Sequence, residues 1–189
     1  MPKQQEMKQS ASLILIAILL IVAAALSVVL VYPQSFSPLI AISLFSGAVI
    51  KDKKLAVLIP VLALFLTDLL FEVSGKAVGF YGWAQIIDFA TYAIIAVVGS
   101  FLVKRNIINI FLFTVLACVT FYLVSNTAFF IFTNPVYHTY PQTFTGYLLN
   151  MEAAIPFMKF TVISTACYSV LFFGVYALSE RYIVQKQVA

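Results

Sequence analysis

Apolar stretches alternate with short polar breaks along the whole chain. A helix needs roughly 20 apolar residues, with a range of about 17–25, to traverse the hydrocarbon core of a bilayer. Six stretches approach or reach that length, and spans are predicted at 12–32, 38–50, 55–71, 86–103, 107–132 and 153–178. The second, Pro38–Ile50, is short for a complete crossing. It reads as a helix that begins in a depression or as a partly buried segment. The first follows Lys3 and Lys8, and its "VAAALS" resembles a leader-peptide cleavage site. Because the apolar run continues through Val28–Val31 to full length, it is read as a retained span.

The breaks carry their own signals. Ser37 before Pro38 marks a helix start, with a hydroxyl cap and then a residue that needs no N–H. "KDKK", Lys51–Lys54, reverses the chain. Pro60 and Pro156 fall inside the third and sixth spans, where each removes a backbone donor and is expected to kink its helix. Gly75, Gly79 and Gly82 mark a loop between the third and fourth spans. The longest polar break, "NPVYHTYPQTFTGYLLN", separates the fifth and sixth. Within it Phe144, Tyr147 and Leu148 follow a proline at i, i+3, i+4 spacing, which predicts a short amphipathic helix on the membrane interface within 133–150.

Composition narrows the class. The 189 residues are 63% hydrophobic with a mean hydropathy of +1.05, and only 10% are charged, against about 25% in soluble domains. A single all-α integral membrane domain is predicted. The net charge of +4 does not indicate nucleic-acid binding, because the basic residues lie between apolar runs, where membrane topology places them. With six spans, Lys3, Lys8, Lys51, Lys53, Lys54, Lys104, Arg105, Arg181 and Lys186 share one side. Lys76 stands alone on the other, and Lys159 lies within the sixth span. That bias predicts a multi-pass protein of the cell (inner) membrane with both termini cytoplasmic. Cys118 and Cys167 both lie in apolar runs without metal-ligand spacing, and they read as unpaired packing residues.

Candidate chemistry gathers at the outer end. Asp68 and Glu72 share a helix face at the close of the third span, Asp88 opens the fourth, and Glu152 opens the sixth. A carboxylate within a span costs about 2.5–3.5 kcal/mol on insertion scales, so Asp68 is expected to face the bundle interior. Glu152 and Lys159 are two turns apart on one face, and either pair as a salt bridge or contact a ligand. Asn126 lies inside the fifth span and suits an interhelical hydrogen bond or a ligand contact. His138, the only histidine, stands in the outer loop; without a clustered second ligand it points to a pocket rim rather than a metal. Tyr81, Trp83, Tyr140 and Tyr147 lie at the same level, placed to stack on a ligand. No metal site, cofactor or catalytic residue is predicted. The chain has no G-x-x-x-x-G-K-[ST], H-E-x-x-H or G-x-S-x-G, so neither nucleotide cradle nor hydrolytic site is encoded in a familiar form.

The stretches "FSPLIAISLFSGAVIKDKKLAVLIPVLALFLTDLLFE" and "YPQTFTGYLLNMEAAIPF" resemble a family of uncharacterised bacterial membrane proteins with no assigned activity. More distantly, the chain resembles the substrate-binding S components of energy-coupling-factor vitamin transporters. That resemblance implies a six-helix bundle with an outward pocket closed by loops, and a small vitamin-like nutrient as substrate. It also implies a separate transmembrane coupling subunit with ATPases as partners. The docking pattern of such proteins, two small residues four apart, has counterparts in Ala23-x-x-x-Ser27 and Ser43-x-x-x-Gly47. The expectation is a substrate-binding and uptake protein. A stand-alone ion-coupled transporter using Asp68, Glu152 and Lys159, and a structural or assembly subunit, remain the alternatives.

Overall fold

The computed structural model describes residues 14–188 apart from 16, 20, 25, 28–35 and 81. Among them every regular element is helical. Described residues between 14 and 27 form an N-terminal helical segment. It is followed by α1 (Leu39–Val49), α2 (Lys53–Ser74), α3 (Trp83–Gly99) and α4 (Ile107–Ala128). A π-helical turn (Phe129–Thr133) leads into α5 (Asn134–Tyr137), and α6 (Phe144–Val188) ends the chain. The expected first span is thus described only in part. Tyr32, Lys3 and Lys8 lie outside the described residues, as does Tyr81.

Three of these helical stretches are long and apolar enough to cross a membrane: Lys53–Ser74, Ile107–Tyr137 and Phe144–Tyr182. α1 and α3 are shorter apolar helices. The outer surface is what a lipid-facing bundle requires. On α2, Leu55, Leu58, Leu62, Phe65 and Leu69 form one exposed stripe, while Ala56, Pro60, Ala63, Leu64 and Thr67 turn inward.

The shortest of these helices occupies the middle. Every residue of α1 from Leu39 to Gly47 is buried, because α2, α3, α4 and α6 surround it. A helix apolar on all sides is stable only when enclosed in this way. Phe45 anchors it, with its ring 5.5 Å from Phe172, 5.2 Å from Phe173 and 5.8 Å from Tyr176. Against α3 the approach is backbone to backbone. A Cβ on Gly47 would lie 1.9 Å from the Ala96 carbonyl oxygen, and one on Gly99 would lie 2.4 Å from that of Leu44. The Ser43-x-x-x-Gly47 pattern is therefore consumed inside this chain and offers nothing to a partner. The N-terminal segment packs Ala17, Ile21 and Ala24 into the same core, and the Ser27 and Tyr168 hydroxyls are 3.2 Å apart.

The two prolines are accommodated differently. Pro60 leaves the Ala56 carbonyl without its helical donor. The buried Ser46 hydroxyl on α1 lies 2.8 Å from that oxygen and 3.0 Å from the Ser43 carbonyl of its own helix, so its one hydrogen is shared and the nearer partner is the carbonyl that the proline leaves open. Pro156 sits within α6 without ending it. The stretch expected as a separate interfacial helix instead continues into the last span, giving one helix of 45 residues, about 67 Å long. Contacts with α4 hold this extension. Asn150 Nδ2 donates to the Asn126 carbonyl (2.9 Å), the Tyr122 hydroxyl donates to the Met151 carbonyl, and the Thr127 and Tyr147 hydroxyls are 3.0 Å apart. The π-helical turn begins directly after this junction, where the Asn126 carbonyl serves both Asn150 and the Phe129 N–H.

The breaks follow ordinary capping chemistry. Asp52 accepts from the Lys54 and Leu55 N–H groups (2.9 and 3.2 Å) and starts α2, and Asn106 accepts from Asn109 N–H (2.8 Å) and starts α4. Ser37 Oγ accepts from Leu39 N–H (3.3 Å), while Pro38 takes the position flanking the helix. Cys118 is buried, Cys167 is exposed, and both are free thiols.

Candidate functional site

The length of α1 creates a cavity. Its 11 residues extend about 16 Å, roughly half of the ~30 Å hydrocarbon core. α4 and α6 continue past its N-terminal end, and the space left above Ser37 and Ile40 is a cavity of about 350 Å³. Two helix faces form its walls. α4 contributes Cys118, Phe121, Tyr122, Ser125 and Asn126, at i, i+3, i+4, i+7, i+8 spacing. α6 contributes Ala154, Phe157, Met158, Thr161 and Ser164, and α3 adds Tyr92.

The wall is polar without being charged. Among the described residues lining it there is no Asp, Glu, Lys, Arg or His. Its hydrogen-bonding groups are hydroxyls and one amide. The Ser125 and Tyr92 hydroxyls have no hydrogen-bond partner among the described residues, whereas Thr161 and Ser164 donate to carbonyls of their own helix. Asn126 Nδ2 donates to the Tyr122 carbonyl (2.7 Å), which positions its amide on the cavity face. Tyr92 and Phe121 pack with centroids 5.5 Å apart and supply a flat aromatic side. Such a surface can bind an uncharged molecule through a few hydrogen bonds and aromatic contact.

Of the residues singled out from the sequence, Asn126 lies on this wall. Asp68, Asp88, Trp83, His138, Tyr140, Tyr147, Glu152 and Lys159 are not among its lining residues. Asp68 is buried and accepts from Gln85 Nε2 at 2.7 Å. That same amide nitrogen donates to the Gly79 carbonyl (3.2 Å), and Glu72 Oε2 accepts from Gly79 N–H (3.1 Å). A Cβ on Gly79 would lie 2.0 Å from the Asp68 carbonyl oxygen, so the glycine lets the loop fold back onto α2. Asp68 and Glu72 together fasten the α2–α3 loop. Asp88 is half-buried on α3, and Trp83 is 78% exposed at its start.

The loop between α5 and α6 is likewise held from within. The buried Asn134 side chain donates to the Tyr140 carbonyl (2.9 Å) and accepts from its N–H (2.8 Å). His138 is exposed and ends α5 with φ of 52°, a left-handed conformation that histidine enters more readily than most side chains. Tyr147 packs on Phe130 at 5.4 Å besides meeting Thr127. Glu152 and Lys159 are both exposed on α6. No ion pair joins them among the described residues, and the Lys159 ammonium lies 5.0 Å from the Phe160 ring centre. Among the described residues no three of His, Cys, Asp and Glu gather where they could hold a metal ion.

Charge directed attention in the sequence to the loops, whereas the cavity is built from hydroxyls within the spans. The detectable signal was the recurrence of Ser125, Thr161 and Ser164 on the same helical faces as aromatic residues. Gln85, the partner of Asp68, carried no such signal.

Comparisons with curated proteins and with solved structures gave no match. A family match, by contrast, extends over residues 8–187, nearly the whole chain. The chain belongs to that family, the family of unknown function DUF6580.

Proposed function

We propose that this protein is a membrane-embedded binding and uptake protein for a small nutrient, which it holds as an uncharged molecule above α1. The observation that carries the reading is the cavity wall, which among the described residues combines hydroxyls without a side-chain or backbone partner and aromatic rings with no charged side chain. Burying a charged ligand there would leave its charge uncompensated at a cost of several kcal/mol, whereas an uncharged polar ligand finds donors and acceptors. A volume of about 350 Å³ belongs to a small, vitamin-sized molecule.

In this reading the chain crosses the cell's inner membrane six times, with both termini cytoplasmic and the cavity reached from outside. The distribution of Lys and Arg supports that orientation. So does the meeting of the C-terminal ends of α1 and α3 with the later part of α6, where Gly47 packs on Gly99 and Arg105 lies over Tyr176. If the distant sequence resemblance to vitamin-transporter S components holds, energy would come from a coupling subunit with ATPases. Docking on such a subunit would use a surface other than the enclosed Ser43-x-x-x-Gly47 pattern; Ala23 on the N-terminal segment is exposed.

Native mass spectrometry of the protein gently extracted from its own membrane tests this reading. A stoichiometric uncharged metabolite, lost from a folded Ser125→Trp variant, is expected. A protein that carries only lipid counts against the proposal, as does a metabolite that the Trp variant retains. A stoichiometric partner chain with no small molecule would favour an assembly role. Uptake that collapses with the proton gradient but survives ATP depletion would favour an ion-coupled transporter.

A further inference from the structure

A second cavity lies between the first turns of α4 and the inner half of α6. It measures about 330 Å³ and is lined chiefly by Ile107, Ile108, Phe111, Ala166 and Val170. Its two remaining hydroxyls are turned to each other: Thr114 Oγ1 donates to Ser169 Oγ at 3.3 Å, and both residues are buried. What the groove presents is therefore hydrocarbon. Ile107, Ile108, Phe111 and Val170 are all more than 60% exposed, so the groove opens on the surface of the bundle.

Its mouth is cationic. Lys104 and Arg105 immediately precede α4, and the Arg105 guanidinium lies 5.4 Å from the Tyr176 ring centre, which holds it against α6 at the inner edge of the groove. Arg181, about three turns farther along the same helix, adjoins Glu180 and adds no net charge there. The positive end of the α4 dipole faces the same place. An apolar slot that runs into the membrane from Arg105, held on α6, and the neighbouring Lys104 matches one kind of molecule, a lipid with hydrocarbon tails and an anionic headgroup.

We infer that this groove is a binding site for an anionic phospholipid, with one acyl chain between Ile108 and Val170 and the phosphate at Lys104 and Arg105. The inference requires the bundle to lie in a membrane but is independent of any ligand in the first cavity. Charge complementarity separates this occupant from a partner helix, which would need an acidic end to match.

The test is a native mass-spectrometric titration of the delipidated full chain in mild detergent. The probes are phosphatidylglycerol and phosphatidylcholine with identical acyl chains. The first bound phosphatidylglycerol should be held more tightly, and Lys104→Gln should weaken it about five-fold while leaving phosphatidylcholine unchanged. Ile108→Trp and Val170→Trp, on two different helices and both at exposed positions, should each abolish this binding event. Phe160→Trp, exposed about three turns away on α6, should not. Equal affinity for the two lipids would overturn the assignment, as would unchanged binding in a monodisperse Trp variant of the groove. A photo-crosslinker at position 170 that captures a protein chain in the native membrane, rather than lipid, would also overturn it.

Discussion

The bond between Ser46 and the Ala56 carbonyl makes a sharp prediction, because it exists to repair a defect of known origin. Pro60 has no N–H to offer Ala56, and Ser46 Oγ, with no solvent exposure, donates there at 2.8 Å in competition with the Ser43 carbonyl at 3.0 Å. Ser46→Ala removes one oxygen atom and leaves a carbonyl buried without its side-chain donor. Leaving a buried acceptor unsatisfied costs about 1–3 kcal/mol, and interhelical bonds measured in membranes average about 0.6 kcal/mol with a maximum near 1.7. A loss of about 1–2 kcal/mol follows. The decisive variant is Pro60→Ala, which restores a backbone donor to the same carbonyl. On that background Ser46→Ala should cost no more than a few tenths of a kcal/mol. Reversible unfolding of the four proteins of the cycle in mixed micelles measures the coupling, expected at about 1 kcal/mol or more. Strict additivity would refute the reasoning, because Ser46 would then contribute nothing specific to the proline defect.

Other outcomes follow from the same geometry. Gly47→Ala places a Cβ 1.9 Å from the Ala96 oxygen and must force α1 and α3 apart; a loss of about 1–3 kcal/mol is expected in the same unfolding assay. Gln85→Leu strips the buried Asp68 carboxylate of its amide donor, so a stability loss of about 1–3 kcal/mol is expected, with faster proteolysis of the 75–82 loop. At position 138, with φ of 52°, glycine should be neutral or stabilising, while valine should lower stability by about 1–3 kcal/mol as read by thermal unfolding. Asn126→Ala loses only the bond to the Tyr122 carbonyl of its own helix, and Asn150 still reaches the backbone oxygen. The protein should therefore stay folded while affinity for the cavity ligand drops about ten-fold, measured by isothermal titration once that ligand is in hand.

Hydrophobic length and punctuation already determine much of this protein. The apolar runs, with Ser37–Pro38 ahead of the short helix and the glycines at 75, 79 and 82 after the next, predict the bounds of α1 to α4 within about four residues of those observed. Burial of a helix face or exposure to lipid demands the same residues in the sequence as in space, so these features are local. The separate helix expected ahead of the last span is instead continuous with it, because contacts with α4 from residues more than 20 positions away hold the two stretches as one helix. Only the tertiary structure decided that the short segment at 39–49 is enclosed by four helices, since hydropathy alone does not distinguish a lipid-facing helix from a central one. That enclosure is also what makes the cavity. A helix of half the needed length leaves a void at its end, and the void takes its chemistry from Tyr92, Ser125, Asn126 and Ser164 on three other helices. No window of sequence contains them together, so the site arises from packing rather than from a motif.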